Sequence, residues 1–141
     1  MNDIAFDIAA TASGKTVVVG GVHEDLAAQM AILRFELDGD PDTTFSGDGL
    51  LTPAFATRSE AKAVAVLPSG ELLVGGTAWE TTAATMDFVV TRVTPQGTVD
   101  AAFGSASVRT IRDFGGRDEV AGPRECVSSR RTPSRRPSRS R

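Results

Sequence analysis

The 141-residue sequence predicts an all-β fold of two four-stranded antiparallel repeat units, each similar to a propeller blade and together an incomplete array. Three observations lead to this prediction: a repeat of about 58 residues, short apolar segments of period two, and glycine-containing turns between them. The repeat is visible in Arg34, Gly39, Asp42 and Phe45, which recur 58 residues later as Arg92, Gly97, Asp100 and Phe103.

Four short segments follow one another in each unit. The first segments, FDIAA and KAVAV, alternate between apolar and polar residues, as a half-buried strand does. The second, TVVV and LLV, are short apolar strands, and the third, MAILRFEL and DFVVTRVT, alternate again with Arg34 and Arg92 on the polar side. The fourth, LLTPAF and SVRTIRDF, are weaker strands.

Glycines mark the predicted turns, and those of the Ser-Gly, Asp-Gly and Gln-Gly pairs supply a positive φ angle. Gly14 and Gly70 lie before the second segments. Gly20–Gly21 and Gly75–Gly76 lie after the second segments, at an offset of 55, and Gly39 and Gly97 lie after the third segments. The stretch EDLAAQMAIL comes closest to a helix, but its counterpart ETTAATMDFV is a poor helix former, so we expect no helix there.

The repeat divides the chain into unit one (residues 3–60), unit two (61–119) and a truncated third repeat with an Arg/Ser/Pro-rich tail (120–141). Residues 1–122 contain 8 basic and 17 acidic side chains, whereas residues 123–141 contain 7 arginines and one glutamate. We expect the tail to be disordered. Three interpretations of it remain open: a shifted reading frame in place of the third repeat, an ordinary disordered tail, or a segment that binds nucleic acid through its arginines.

Bulk features narrow the function classes. The acidic body argues against a nucleic-acid-binding face, so we expect nucleic acid to bind weakly at most, through the tail. Cys126 is the single cysteine, which excludes an intrachain disulfide. No apolar run is long enough to span a membrane, and the N-terminus lacks the features of a signal peptide.

The stretch AATASGKT fits a loose phosphate-binding loop that ends in Lys15 and Thr16. Such a loop needs a helix after its Lys-Thr pair, whereas here the strand-like VVVGG follows. The second unit has Glu71 and Leu72 at these positions, so the position tolerates charge reversal. We therefore predict a hairpin turn rather than a nucleotide site, and expect Lys15→Ala to leave the fold unchanged.

Four aspartates in DGDPDTTFSGDG raise the possibility of a calcium site: Asp38, Asp40, Asp42 and Asp48. The spacing does not provide the glycine and glutamate of an EF-hand loop, and only Asp42 recurs in the second unit, as Asp100. We interpret this recurring aspartate as a turn cap. His23, expected in an exposed loop, is the single histidine, and Ser13 lacks a nucleophile-elbow motif. No catalytic, cofactor-binding or metal-binding residue is predicted.

Two further recurrences have structural interpretations. Arg34 and Arg92 could line a channel or bind anions, but we favour an ion pair with a neighbouring acidic residue. Phe45 and Phe103, and likewise Phe55 and Phe114, are predicted aromatic core anchors. Trp79 is expected in a loop where it covers apolar surface.

The elements x-A-x-A-x-x-x-x-G-K/E-x-x-V-x-G and A-x-x-R-x-x-x-x-G-x-x-D-x-x-F-G, with D-G-x-x-T, resemble the delta-60 repeat, a bacterial β-repeat, over residues 3 to about 120. This resemblance implies a large, many-copy protein, often secreted or on the cell surface, with a propeller-like fold. It implies no defined enzymatic activity.

Together these observations predict a non-catalytic binding or structural β-repeat module of a larger surface or secreted protein, which needs no cofactor. Its expected partners are further β-repeat units of the same or another chain, which would cover open sheet edges. The alternative is an enzyme on a propeller scaffold, of hydrolase or lyase type, whose site is not recognisable in the sequence. We favour the module because the unit-specific polar residues form no catalytic constellation.

Overall fold

The computed structural model describes residues 2–24, 27–54, 58–79, 86–104 and 110–112, which form two sheets of four antiparallel strands. The first sheet has the order β1 (Ile4–Ala10), β2 (Thr16–Glu24), β3 (Ala27–Phe35) and β4 (Leu50–Leu51). The second sheet repeats this order with β5 (Arg58–Val66), β6 (Leu72–Trp79), β7 (Met86–Val93) and β8 (Thr110–Arg112). The predicted all-β fold of two four-stranded units is therefore confirmed.

The strands largely follow the apolar segments of the sequence. The stretch EDLAAQMAIL contributes to β2 and β3, whose pairing runs from Thr16 with Phe35 to Glu24 with Ala27. The fourth strand of the first sheet is shorter than predicted, at two residues, and of the predicted segment SVRTIRDF the structure describes Thr110–Arg112 as β8. The predicted boundary between residues 60 and 61 lies inside β5. Phe55, Phe114 and residues 120–141 lie outside the described residues.

The turn between the first two strands of each sheet is the predicted hairpin. In the first sheet the backbone N–H of Thr11 donates to Lys15 O and that of Gly14 donates to Thr11 O, over 2.8 and 2.9 Å. Gly14 and Gly70 have φ angles of 85° and 86°. These angles favour glycine, since other residues adopt them at a cost.

The second glycine pair in each unit does not form a turn, and that prediction is wrong. β2 continues through Gly20 and Gly21 to Glu24, and β6 continues in the same way. A Cβ atom on Gly20 would lie 1.9 Å from the carbonyl oxygen of Ile4, and one on Gly76 would lie 2.0 Å from that of Glu60. Glycine is needed because the neighbouring strand bulges towards it. The structurally equivalent pair is thus Gly20 and Gly76, at an offset of 56 rather than 55.

The hydrophobic core lies between the two sheets, at an interface that we call the joint. It consists mainly of side chains with 0% exposure, Val17, Val19, Met30 and Ile32 from the first sheet and Leu72, Val74, Val89 and Val93 from the second. Burying one such side chain contributes about 1.5–3 kcal/mol. The joint therefore covers one apolar face of each sheet.

Arg34 lies on the same face of β3 as Met30 and Ile32, opposite Val17 of β2. It is only 7% exposed. The expectation that it lies on the polar side of its strand is wrong. The joint thus includes a charged side chain, which requires a partner inside the protein.

Polar contacts also cross the joint. The backbone N–H of Met30 donates to Ser59 Oγ over 3.0 Å, and that of Val64 donates to Asp7 Oδ2 over 2.9 Å. The ammonium of Lys62 lies 3.4 Å from the ring centroid of Phe6. The first contact joins β3 to β5, and the other two join β1 to β5, which are the first strands of the two sheets. None of the described residues forms a helix that could span a membrane.

Two adjacent glycines of β6 test the close approach of β5. Gly76→Ala should lower the free energy of unfolding by about 1–3 kcal/mol, because its Cβ cannot fit against the backbone of Glu60. Gly75→Ala is the matched control, since a Cβ there meets nothing within 4 Å. It should change stability by less than about 0.5 kcal/mol. Urea unfolding monitored by circular dichroism measures both, and equal losses would contradict the close approach.

Candidate functional site

The most elaborate polar arrangement among the described residues is a cluster of Arg34, Asp42 and Phe45, which we call the first cluster. Arg34 is the last of the buried residues of β3, and Asp42 and Phe45 lie in the connection between β3 and β4. Arg34 Nε donates to Asp42 Oδ2 over 2.5 Å, and its guanidinium lies 4.6 Å from the ring centroid of Phe45. Asp42 and Phe45 are both 0% exposed. A buried charge pair is therefore covered by an aromatic ring.

Four donors surround the carboxylate of Asp42. Oδ2 accepts from Arg34 and, over 2.9 Å, from Lys15 Nζ. Oδ1 accepts from the backbone N–H and the hydroxyl of Thr44, over 3.0 and 2.6 Å. A carboxylate offers about four lone-pair sites, so the accepting capacity of Asp42 is filled. The contact with Thr44 matches the predicted role of Asp42 as a turn cap.

The pKa of Asp42 reflects these contacts. Burial alone would raise it, but hydrogen bonds from Thr44, Lys15 and Arg34 outweigh burial and hold the pKa well below its usual range. The hydrogen bond to Asp42, followed by that to Glu36, raises the pKa of Lys15. Both groups therefore stay ionised at neutral pH. Neither has a pKa suited to proton transfer there.

The second unit contains an equivalent group, Arg92, Asp100 and Phe103, which we call the second cluster. Arg92 Nε donates to Asp100 Oδ2 over 2.7 Å, and its guanidinium lies 5.2 Å from the ring centroid of Phe103. A hydrogen bond from the backbone N–H of Ala102, followed by one from Arg92, lowers the pKa of Asp100. The ion-pair interpretation of the recurring arginine and the turn-cap interpretation of the aspartate fit both clusters.

The residue beside the ion pair has opposite charge in the two units. In the first cluster Lys15 contacts the aspartate, at 2.9 Å. In the second cluster the equivalent Glu71 lies 3.7 Å from the arginine Arg92. Lys15 also contacts Glu36, at 2.9 Å, whereas the position equivalent to Glu36 holds the uncharged Thr94. Charge reversal is accommodated because an ion pair offers a partner to either sign.

The two clusters differ in what covers them. The turn after β7 lies on the first cluster, where Arg34 Nη1 donates to Pro95 O over 2.5 Å and the N–H of Ser46 donates to Gln96 O over 2.9 Å. A Cβ atom on Gly97 would lie 2.9 Å from the ring of Phe45.

The exposed fractions of the side chains reflect this difference between the clusters. The Arg34 side chain is 9% exposed, whereas that of Arg92 is 32% exposed. The corresponding aspartates, Asp42 and Asp100, are 0% and 18% exposed. The first cluster is thus a docking site for the neighbouring unit, and the second is open.

The contacts of Lys15 explain why the phosphate-loop pattern is misleading. Its ammonium is held by two carboxylates, and the chain enters β2 at Thr16 rather than a helix. The prediction of a hairpin turn is confirmed. However, the expectation that Lys15→Ala leaves the fold unchanged does not fit the ion pair with buried Asp42. Removing Lys15 would take away one of the donors to that carboxylate.

The aspartates of the calcium hypothesis do not converge on one point. Asp42 is filled by its four donors, while Asp38 and Asp48 accept hydrogen bonds from nearby backbone N–H groups, those of Asp40 and Leu50. In the described part of the chain, no group of three His, Cys, Asp or Glu side chains could hold a metal ion.

The remaining candidates have structural surroundings. His23 lies in β2, not in an exposed loop as expected, with Nε2 3.1 Å from Glu60 Oε1 across the joint. Trp79 ends β6 and pairs with Arg58 and Met86, so its expected loop position is also wrong. Ser13 Oγ lies 3.0 Å from the hydroxyl of Thr11 in the first hairpin turn.

Sequence reasoning missed the contact between the first cluster and residues 95–97. Gly97 was recognised only as a turn residue, although its φ angle of 78° is accompanied by contact with Phe45. The available signal was that the arginine, aspartate, phenylalanine and glycine recur together in both units. It shows that these residues belong together, but not that the glycine of one unit contacts the phenylalanine of the other.

Comparison with known proteins gives one family. A family model described as "Domain of unknown function (DUF5122) beta-propeller" matches residues 11–45 and 67–103, together about half of the chain. Each match begins at the first hairpin turn, at Thr11 or Leu67, and ends at the cluster phenylalanine, Phe45 or Phe103. No curated protein matches the chain.

The two arginines provide a matched test of burial. Arg34→Met should lower the free energy of unfolding by roughly 3 kcal/mol, because it leaves buried Asp42 with fewer donors. Arg92→Met should lower it by less than about 1 kcal/mol, because its ion pair is partly exposed. Urea unfolding at neutral pH measures both. A similar loss for the two variants would show that the docked turn adds nothing.

Asp42 also predicts a pH dependence. Its pKa is lower in the folded than in the unfolded state, so its ionised form contributes stability that is present above the unfolded value of about 3.9. This contribution disappears as the pH falls from there towards the folded pKa. The stability difference between wild type and Asp42→Asn should therefore be largest near neutral pH and shrink below about pH 4.

Urea unfolding at a series of pH values measures this difference. Asp40→Asn, on the exposed turn nearby, is the control and should follow wild type throughout. A difference between Asp42→Asn and wild type that does not change with pH would contradict an ionised, hydrogen-bonded Asp42.

Proposed function

Because the chain belongs to the DUF5122 β-propeller family, we propose that it is a non-catalytic structural and binding module whose repeated clusters join one β unit to the next. The main support is the use of the first cluster: all three guanidinium nitrogens of Arg34 donate within the protein, to Asp42, Pro95 and Thr44. The cluster residues are thus engaged in holding the fold and the neighbouring unit.

The electrostatics of the first cluster support a non-catalytic role. A general base needs a free lone pair and a pKa near the working pH, and a nucleophile needs an adjacent base. The carboxylate of Asp42 has neither a free lone pair nor such a pKa. Turnover of a hydrolase or lyase substrate by the purified chain, abolished by a single substitution, would contradict this part of the proposal.

The delta-60 resemblance extends the proposal to the whole protein. On this basis the chain belongs to a secreted or cell-surface bacterial protein, and its partners are further β-repeat units of the same or another chain. Any ligand would be held by loops at one face of the array. Antibody labelling of intact producing cells tests the location, and a signal that appears only after lysis would contradict it.

Two glycines test whether the cluster holds the neighbouring unit. Gly97 and Gly39 are equivalent and have φ angles of 78° and 93°, so replacement by alanine strains both. A Cβ on Gly97 would additionally lie 2.5 Å from Ser46 N, whereas one on Gly39 meets nothing within 4 Å. Gly97→Ala should therefore lower the free energy of unfolding by about 1–3 kcal/mol more than Gly39→Ala.

Urea unfolding of the full chain measures this difference. Because the backbone strain is common to both variants, the difference reports the contact of the turn with the first cluster. Equal losses would mean that the contact does not hold the two units together, and would contradict the proposed joining role.

A further inference from the structure

The joint occurs once in the described part of the chain, and it is built from two different faces, one from each sheet. The first sheet contributes the face that contains Val17, Val19 and Ile32. The second sheet contributes the face that contains Leu72, Val74 and Val93, which corresponds to the other side of the first sheet. Each sheet therefore has a second face, equivalent to the one its neighbour uses. These two faces have no partner among the described residues.

The unpartnered face of the first sheet, which we call face one, is apolar. It contains Ile8, Val18, Leu33 and Phe35, and it has a groove of about 390 Å³ that Val18, Leu33, Phe35 and Leu50 help to line. Val18 and Phe35 are equivalent to Val74 and Val93 of the second sheet, which are 0% exposed in the joint. Ile8, by contrast, is 65% exposed. Face one thus has the composition of a sheet face in the joint, but among the described residues no second sheet packs on it.

The unpartnered face of the second sheet, face two, contains Leu73, Val90 and Arg92, next to Phe103. Val90 is 38% exposed, whereas its equivalent Ile32 is 0% exposed. A groove of about 360 Å³ borders face two, and it is lined by Leu73 and Gly75 of β6 as well as by Asp7 and Ile8 of β1. The second cluster lies open at its edge.

The turn after the third strand is packed against the neighbouring unit in one case and exposed in the other. The turn of residues 95–97 is seated on the first cluster, and Gly97 is buried there. The equivalent turn of the first unit contains Leu37, which is 78% exposed, and Gly39, which has free space around it. The chain thus presents an unseated turn beside face one and an uncovered cluster beside face two.

We propose that a second copy of this chain docks head to tail, with its face one on face two and its turn of residues 37–39 on the second cluster. The internal joint is the template: the carbonyl of Leu37 would accept from Arg92 as that of Pro95 accepts from Arg34. Such a contact is heterologous, so copies can add one after another, and the assembly closes when the last copy meets the first in a ring. Propellers close with about 4–8 blades, so the ring is complete when the docked units reach such a number.

This inference deepens the proposed joining function, but its test is separate. The oligomeric state of the chain measures docking between copies, whereas the glycine variants above measure contact within one copy. Failure of docking would leave the internal joint intact, and failure of the internal joint would remove the template itself.

Sedimentation velocity over roughly a hundredfold range of concentration tests the proposal on the full chain. Wild type should form closed assemblies as the concentration rises. The face-one variant carries Leu37→Arg, at a largely exposed position in the turn of residues 37–39. The face-two variant carries Val90→Asp. Each should weaken association at least about thirtyfold, because it buries an unpaired charge, while circular dichroism and thermal unfolding show that it is folded.

The control is Ser69→Asp. Ser69 stays exposed although its unit is packed in the joint, and the equivalent Ser13 is exposed on the other side of the joint. Position 69 therefore lies outside both docking faces. This variant should assemble as wild type does, and its failure to do so would show that any added charge, rather than a charge on a docking face, prevents assembly.

A mixture of the two face variants gives the sharpest result. One copy retains face one and the other retains face two, so the mixture should form dimers, and no larger species, while each variant alone is monomeric. A wild-type monomer at every concentration would overturn the proposal and favour another occupant of these faces. Assembly that survives both variants, or a mixture that stays monomeric, would equally overturn it.

Discussion

The burial of the Asp42 carboxylate is the constraint on which the rest of the structure depends. A buried charge is costly unless every lone pair is satisfied, and the donors to Asp42 come from three places: the first hairpin turn, β3 and the connection to β4. The carboxylate therefore ties these segments together. Arg34 extends the arrangement to the second unit, because its Nη1 donates to Pro95 O, while its Nη2 donates to Thr44 in the first unit.

The same constraint explains how the two units can differ in charge and keep one fold. Lys15 and Glu71 carry opposite charges at one position, yet each contacts the ion pair beside it, through Asp42 in one unit and Arg92 in the other. The alternating geometry of the strands is unaffected by this exchange. What must be preserved is the ion pair, the ring beneath it and the glycine that approaches the ring of the preceding unit.

Much of the fold could be predicted because its signals are local. Period-two alternation placed the first and third strands of each sheet, short apolar runs placed the second strands, and Gly14 and Gly70 marked hairpin turns that need a positive φ. Gly20 was misread because a glycine in a sequence can indicate either a turn or a close approach of another strand, and only the bulge in β1 decides between them.

The site was less predictable because its partners are distant in sequence. Arg34 and Asp42 are eight residues apart, and their recurrence allowed the ion pair to be expected. The contact of Arg34 with Pro95 spans 61 residues and depends on how two sheets pack, so Arg34 was wrongly placed on the polar side. His23 and Trp79 were expected in loops because the strands extend beyond their apolar residues.

A double-mutant cycle between Arg34→Met and Gly97→Ala measures directly whether the first cluster holds the second unit. If the arginine acts partly through the docked turn, its loss should cost less once Gly97→Ala has displaced that turn. We expect a coupling free energy of about 1 kcal/mol or more from urea unfolding of the four proteins. Additive losses would contradict it, since the cluster and the turn would then stabilise the chain independently.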